Sequence, residues 1–259
     1  MSNTLKILRF FTTTLLSLMM FCNISIAHDT KIINMTSLEW PPYTGEALPD
    51  KGANAAVLKA AFEAMGYSLN IKMLPWERAV NEAQNNPDYV GYFPEYFSSD
   101  VEKNFIFSDP IGHGPLGFVE NKDNPVIWNK LEDLKNISIG VVNGYVNTSE
   151  FDDMVAKKQL NVYGVSEDRL NVRLVANGRL RLAVIDPNVL NYLLISDSTI
   201  KDLTSKLQFN AKIMEDKKLY VAFNKSDAAQ NAKKILDEGL KKIDIEAITQ
   251  AHFKALNMK

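Results

Sequence analysis

Two α/β units are predicted from three observations. Short apolar runs alternate with helical patterns from Lys31 to Leu256, the order that layers helices on largely parallel sheets. The alternation breaks at Gly112-His113-Gly114-Pro115-Leu116-Gly117 and restarts beyond it. The 259-residue length accommodates one large domain or two of about 100 residues each.

The elements follow in order. Lys31 to Ser37 is the first strand. Val57, Leu58, Ala61, Phe62 and Met65 recur at the helical period, so Ala55 to Met65 is a helix, with Gly66 as its stop. Ser68 to Leu74 alternates as a strand, and Pro75 stands at a favoured helix start before Trp76-Glu77-Arg78-Ala79. Tyr89 to Phe93 and Phe105 to Phe107 complete the first sheet. His113-Gly114-Pro115 is expected to break regular structure between the units. A short turn at Leu131 to Leu134 leads to a strand over Ile137 to Val142 and a helix over Ser149 to Lys157. A strand near Asn161 to Tyr163 and a helix over Glu167 to Ala176 come next. Leu182 to Ile185 is an apolar strand ending at Asp186, and Pro187 opens another helix. Strands over Leu207 to Ile213 and Leu219 to Phe223 precede closing helices over Ala228 to Lys242 and Ile245 to Leu256.

The N-terminus carries Lys6 and Arg9, an apolar run from Phe10 to Cys22, and small residues at Ser25 and Ala27. That is the pattern of a secretory signal peptide (1–27) cleaved after Ala27. The run is shorter than the roughly 20 residues a membrane span needs. Met20 and Phe21 are bulky where a lipid-modified Cys22 would want small neighbours. Cleavage removes the single cysteine, so the mature chain has neither disulfide nor thiol chemistry. It also removes Lys6 and Arg9, which leaves 27 of the 29 basic residues against 31 acidic ones, a balance of −4. With no basic stripe, no nucleic-acid partner is expected.

Enzyme motifs are not evident. Gly112 to Gly117 spells GxGxxG, but Pro115 leads into the extended run Leu116 to Val119 and no helix follows to receive a pyrophosphate. The glycines are therefore assigned to a hinge, and no cofactor is expected. His28, His113 and His252 fit no zinc spacing, so no metal is expected either. There is no GxSxG elbow and no P-loop. Glu132-Asp133 and Asp152-Asp153 stand near helix starts, where acids complement the helix dipole without any catalytic purpose.

Three groups remain as candidates for binding. Glu39-Trp40-Pro41-Pro42-Tyr43 follows the first strand, at the strand end where open α/β sheets place ligands. Trp40 and Tyr43 either line a pocket or close the top of the core. A second group comprises Trp76, Arg78 and the stretch Tyr92 to Ser98, with Glu95 inside it and a helix start behind it. In the third, Asp186 ends an apolar strand, where it can meet a ligand, cap the Pro187 helix, or do both. Opposite lies Asn143-Gly144-Tyr145-Val146-Asn147-Thr148, leading into a helix whose free N–H groups would suit an anion.

The stretch from Phe105 to Thr148, with Ser108-Asp109-Pro110, the glycine-rich crossing and the strand running into Gly144, resembles the signature region of the family 3 extracellular solute-binding proteins. These are the polar-amino-acid type that serve ABC importers. The resemblance covers nearly all of the mature chain and implies a type II two-lobed fold, each lobe a mostly parallel sheet flanked by helices. Lobe one would comprise residues 28–113 and 219–259 and lobe two residues 118–214, joined by hinge strands at 114–117 and 215–218. It implies a periplasmic monomer, not an enzyme, that captures a small polar ligand, an amino acid or related metabolite, for the membrane subunits of an importer.

The resemblance also implies roles. Trp40 or Tyr43 would pack on the ligand, Ser98 would supply a carboxylate-binding hydroxyl, and Asp186 would receive an ammonium group. Val101 stands where the family's arginine is expected, and valine cannot form a bidentate clamp on a carboxylate. Either another cation substitutes, with Arg78 as the candidate unless it is simply a solvated helix residue, or the ligand lacks an α-carboxylate. Tyr145 and Val146 replace the family's threonines after Gly144. Two other functions compete: a dehydratase acting on cyclic acids, with Glu95 as acid or base, and a periplasmic sensing module for a receptor kinase.

Overall fold

A computed structural model describes residues 31–258. The expected signal peptide and its cleavage point at Ala27 lie outside the described residues.

Ten described strands form one continuous mixed sheet. In chain order the first half supplies β1 (Lys31–Ser37), α1 (Ala53–Glu63), β2 (Tyr67–Met73), α2 (Trp76–Asn85), β3 (Gly91–Tyr96), α3 (Ser99–Glu102), β4 (Ile106–Phe107) and β5 (Gly112–Asn121). The second half supplies β6 (Ser138–Val142), α4 (Ser149–Ala156), β7 (Asn161–Val165), α5 (Asp168–Ala176), β8 (Leu182–Ile185) and α6 (Pro187–Ser196). It closes with β9 (Leu207–Phe209), β10 (Glu215–Phe223), α7 (Asp227–Leu240) and α8 (Ile245–Ala255). The strand order is β2-β1-β3-β10-β5-β8-β6-β7, with β4 beside β10 and β9 beside β5. Pairing is parallel for β1 with β2 and β3, and for β6 with β7 and β8. It is antiparallel wherever β5 or β10 takes part.

The helices are placed by burial and held by caps. Val57, Leu58, Ala61 and Phe62 of α1 are buried, and so are Ala229, Ala232, Leu236 and Leu240 of α7. The two helices approach closely at Gly239, where a Cβ would lie 2.2 Å from the Ala61 carbonyl oxygen. Thr148, Asp186, Ser226 and Asp244 each accept a backbone N–H at the start of α4, α6, α7 and α8.

Three expectations need correcting. Gly112 to Pro115 does not interrupt regular structure: it lies within β5, whose residues 112–116 pair with 215–219 of β10. Pro115 is tolerated because β8 takes up the other edge of β5 only from Gly117 onward. β3 runs on to Tyr96, past the expected end at Phe93, so Glu95 lies within the strand. Finally, β9 ends at Phe209, well short of Ile213.

Candidate functional site

The β5–β10 pair separates the β2-β1-β3 side of the sheet from the β8-β6-β7 side, and candidate residues from both sides meet across it. Tyr43 is buried after β1, and its hydroxyl donates to Asp186 Oδ2 at 2.9 Å. Asn188 Nδ2 donates back to the Tyr43 oxygen at 2.8 Å. Asp186 Oδ1 meanwhile accepts the Asn188 and Val189 N–H groups, at 2.6 and 3.3 Å, as the cap of α6. Asp186 thus caps a helix, as one of its two expected roles requires, and its other oxygen reaches the opposite half of the sheet.

Gly114 explains itself at this contact. A Cβ there would lie 2.1 Å from Asp186 Oδ2 and 2.5 Å from the Tyr43 hydroxyl. The glycine admits the tyrosine–aspartate pair against the strand. A Cβ at Gly117 would likewise lie 2.6 Å from the Phe209 ring.

A second crossing is aromatic. The Trp76 indole, at the start of α2, donates to the Gly144 carbonyl at 2.9 Å. It also meets Tyr92 and Tyr145 edge-to-face, with ring centroids 5.4 and 5.5 Å apart. Gly144 has φ +76°, a left-handed turn that an ordinary side chain resists. Trp40 stacks on Tyr43 at 4.7 Å and meets Tyr96 edge-on at 6.2 Å.

Tyr92 and Glu95 are three apart, yet they share one face of the sheet. On β10, Tyr92 is opposite Ala222 and Glu95 is opposite Tyr220, so β3 carries one extra residue. Such a bulge turns both side chains the same way. The Tyr92 hydroxyl donates to Glu95 Oε2 at 2.8 Å, and the Tyr96 N–H donates to Oε1 at 2.8 Å.

Two small cavities lie within this assembly. One, of about 30 Å³, is lined by Trp40, Trp76, Glu95, Tyr96, Tyr145 and Leu219 among others. The other, of about 20 Å³, is walled by Trp40, Tyr96, Tyr145, Asp168 and Asp186 with their neighbours. Each has room for about one water and none for an organic solute. Two larger pockets open beside them, of about 550 Å³ around Ser98, Asp152 and Lys217 and of about 430 Å³ around Glu39, Trp40, Glu167 and Tyr192.

Burial raises three carboxyls at this junction to about 7: Glu95, Asp168 and Asp186. The bonds from Tyr92 and the Tyr96 N–H partly offset this for Glu95, those from Tyr43 and the start of α6 for Asp186, and the neighbouring Trp40 indole for Asp168. The Asp186 charge pushes Asp168 further up. Desolvation also raises the hydroxyls of Tyr43, Tyr92, Tyr96 and Tyr145.

Of the residues singled out in the sequence, Trp40, Tyr43, Trp76, Tyr92, Glu95, Gly144, Tyr145 and Asp186 come together here. Arg78 does not. It is exposed and lines none of the described pockets, because two residues along a helix turn it about 200° from Trp76. Ser98 lies in the wall of the larger outer pocket, where its hydroxyl caps α3 by accepting the Asp100 N–H at 3.2 Å. Val101 packs toward Tyr92 and Phe105. At the start of α4, Asp152 takes the Asn147 N–H at 2.8 Å and Thr148 takes that of Phe151 at 3.2 Å, so two of the donors expected for an anion are engaged within the chain.

Sequence reasoning missed Asp168, Tyr96, Asn188 and Lys217. Asp168 opens α5, where an acid looks like an ordinary dipole complement. Tyr96 lies in the stretch Tyr92 to Ser98, where nothing sets it apart from its aromatic neighbours.

No family model matches the sequence, and no curated protein matches it. Solved structures do. The chain is similar to a histidine kinase sensor domain with similarity to periplasmic binding proteins (TM-score 0.71, 16% identity, 88% of this chain and 96% of that one). It is similar to an amino acid ABC transporter substrate-binding protein of Streptococcus pneumoniae bound to L-arginine (TM-score 0.70, 14% identity, 88% and 97%). A third match is the GluR0 ligand-binding core of Nostoc punctiforme in complex with L-glutamate (TM-score 0.68, 13% identity, 86% and 98%). At these identities the likeness establishes architecture, and the chain has the type II periplasmic-binding-protein fold.

Proposed function

We propose that the protein captures a small polar solute between two lobes and closes over it. Lobe one comprises the β2-β1-β3 side with α7 and α8, lobe two the β8-β6-β7 side, and the paired strands β5 and β10 are the hinge. The observation that carries this is the junction itself. Tyr43 reaches Asp186 and Trp76 reaches Gly144 across the β5–β10 pair, and both contacts enclose buried polar groups around cavities of about 20 and 30 Å³. Three carboxyls converge there with Lys217 in reach of Glu95 alone, a costly arrangement for a core stabilised for its own sake. Room for a solute is created by rotation about the hinge, and ligand contacts from both lobes then favour the closed population.

In this reading the exported mature protein presents its closed form to the membrane subunits of an ABC importer. The amino acid ABC transporter substrate-binding protein among its structural neighbours supports that partner. The histidine kinase sensor domain supports the second reading, docking on a receptor. Both begin with capture. A thermal-shift screen of the purified mature protein against small metabolites tests it, and native mass spectrometry of unrefolded protein identifies any solute retained. At least one small solute is expected to raise Tm by several degrees. A flat response across the panel, with stabilisation only by a macromolecule, contradicts capture.

A further inference from the structure

The charge at the junction is unbalanced. Glu95, Asp168 and Asp186 are buried and line the two inner cavities, while neither cavity has a lysine or arginine in its wall. Lys217 is the cation whose field reaches Glu95. Its ammonium lies 5.3 Å from the centroid of the Tyr96 ring and 3.5 Å from Glu215 Oε1, and it lines the outer pocket. Buried carboxylates ordinarily pair with a cation or a metal. Among the described residues, no group of three or more His, Cys, Asp or Glu side chains is placed to hold a metal ion.

A second observation points the same way. The Tyr96 hydroxyl is buried, lacks a hydrogen-bond partner, and its residue lines both cavities. A buried hydroxyl without a partner costs on the order of 1–3 kcal/mol, and a phenol oxygen accepts as well as donates. The remaining walls include Trp40, Trp76 and Tyr145, whose faces attract organic cations. Of the donors an anion would use, the Phe151 N–H in the first turn of α4 goes to Thr148, the Asn147 N–H ahead of it to Asp152, and the Asn188 and Val189 N–H groups of α6 to Asp186.

We propose that the captured solute is an organic amine with at least two positive charges and no carboxylate. Asp168 and Asp186 receive one ammonium group and Glu95 the other. The Tyr96 hydroxyl accepts a further N–H, and the carbon stem runs along Trp40, Trp76 and Tyr145. The assignment rests on the capture reading above.

Isothermal titration of the mature protein with 1,4-diaminobutane, 1,5-diaminopentane and spermidine, against L-lysine, L-arginine, L-glutamine and 1-aminobutane, tests it. At least one of the polyvalent amines is expected to bind tenfold or more tightly than every amino acid. For wild-type protein, 1-aminobutane is expected to fall at least tenfold below 1,4-diaminobutane, a comparison that needs no variant. Asp168→Asn and Glu95→Gln, chosen as isosteric and checked for folding by circular dichroism, are each expected to cut affinity for the best amine tenfold or more. Binding of an amino acid but none of the amines overturns this assignment and leaves capture standing. Equal affinity for 1-aminobutane and 1,4-diaminobutane, or full affinity in both folded variants, overturns it as well. Failure of all seven probes overturns it too, and capture falls with it only if the broad metabolite screen is also flat.

Discussion

Asp186 holds α6 through Oδ1 and Tyr43 through Oδ2, so one side chain ties a helix start to the opposite half of the sheet. Its carboxyl, with those of Asp168 and Glu95, is raised to about 7 by burial. The folded state therefore holds protons that the unfolded chain releases near the ordinary carboxyl values of 3.8 and 4.5. Stability from these groups is fully present below about pH 4 and is lost as pH rises through about 7. The ligand-free protein is expected to lose Tm between pH 5 and pH 8. Asp168→Asn, which removes one of the three titrations, is expected to make that profile shallower and raise Tm at pH 8 by about 3–6 °C. Thermal melts in matched ionic strength check this, and a variant less stable at pH 8 with the slope unchanged contradicts it. The carboxyl at 186 was legible in the sequence because it ends an apolar strand. Asp168 was not, since only the fold carries the start of α5 to the cleft. Arg78→Ala, by the same logic of position, is expected to leave ligand affinity within about twofold, a titration that also checks its exposure.

At the scale of elements, the local periods located most strands and helices to within about two residues. The start of β10 escaped because Glu215-Asp216-Lys217-Lys218 is wholly charged and shows no apolar alternation. Its strand character comes from pairing with Gly112 to Leu116, about one hundred residues earlier. The same pairing explains the glycines of β5 through side-chain approach, where a flexible break was expected. Gly114→Ala is expected to force Tyr43 and Asp186 apart, costing about 1–3 kcal/mol in the closed form and at least tenfold in ligand affinity. Titration calorimetry together with a melt reads both quantities, and wild-type affinity in that variant removes the Tyr43–Asp186 contact from the site. The Trp76 contact is finer. Trp76→Phe keeps a ring against Tyr92 and Tyr145 but loses the N–H to Gly144, so affinity is expected to fall by about threefold to tenfold, as for one hydrogen bond.

Across the whole molecule, architecture was far more legible than chemistry. Alternating strands and helices with a crossing near residue 114 already imply two α/β parts, and the sheet order confirms a type II fold. The candidate site is harder because its residues come from loops and strand ends far apart in the chain: Trp40 and Tyr43 after β1, Glu95 in β3, Tyr145 after β6, Asp168 in α5 and Asp186 after β8. No local window contains them together. In the proposed capture mechanism the three raised carboxyls would favour opening without a ligand, since ionising them inside the junction is unfavourable at neutral pH. A cationic solute would reverse that balance.

Closure can be measured directly, because the only cysteine is Cys22 in the expected signal peptide. Cysteines placed at exposed Lys72 in β2 and exposed Tyr163 in β7 would carry a spin-label pair spanning the two proposed lobes in the mature protein. Distance distributions by pulsed electron paramagnetic resonance, recorded at pH 7.5 with and without the solute found by the screen, are predicted to shift from a longer to a shorter population when that solute saturates the site. A distribution unchanged under saturating solute would contradict closure over a captured ligand.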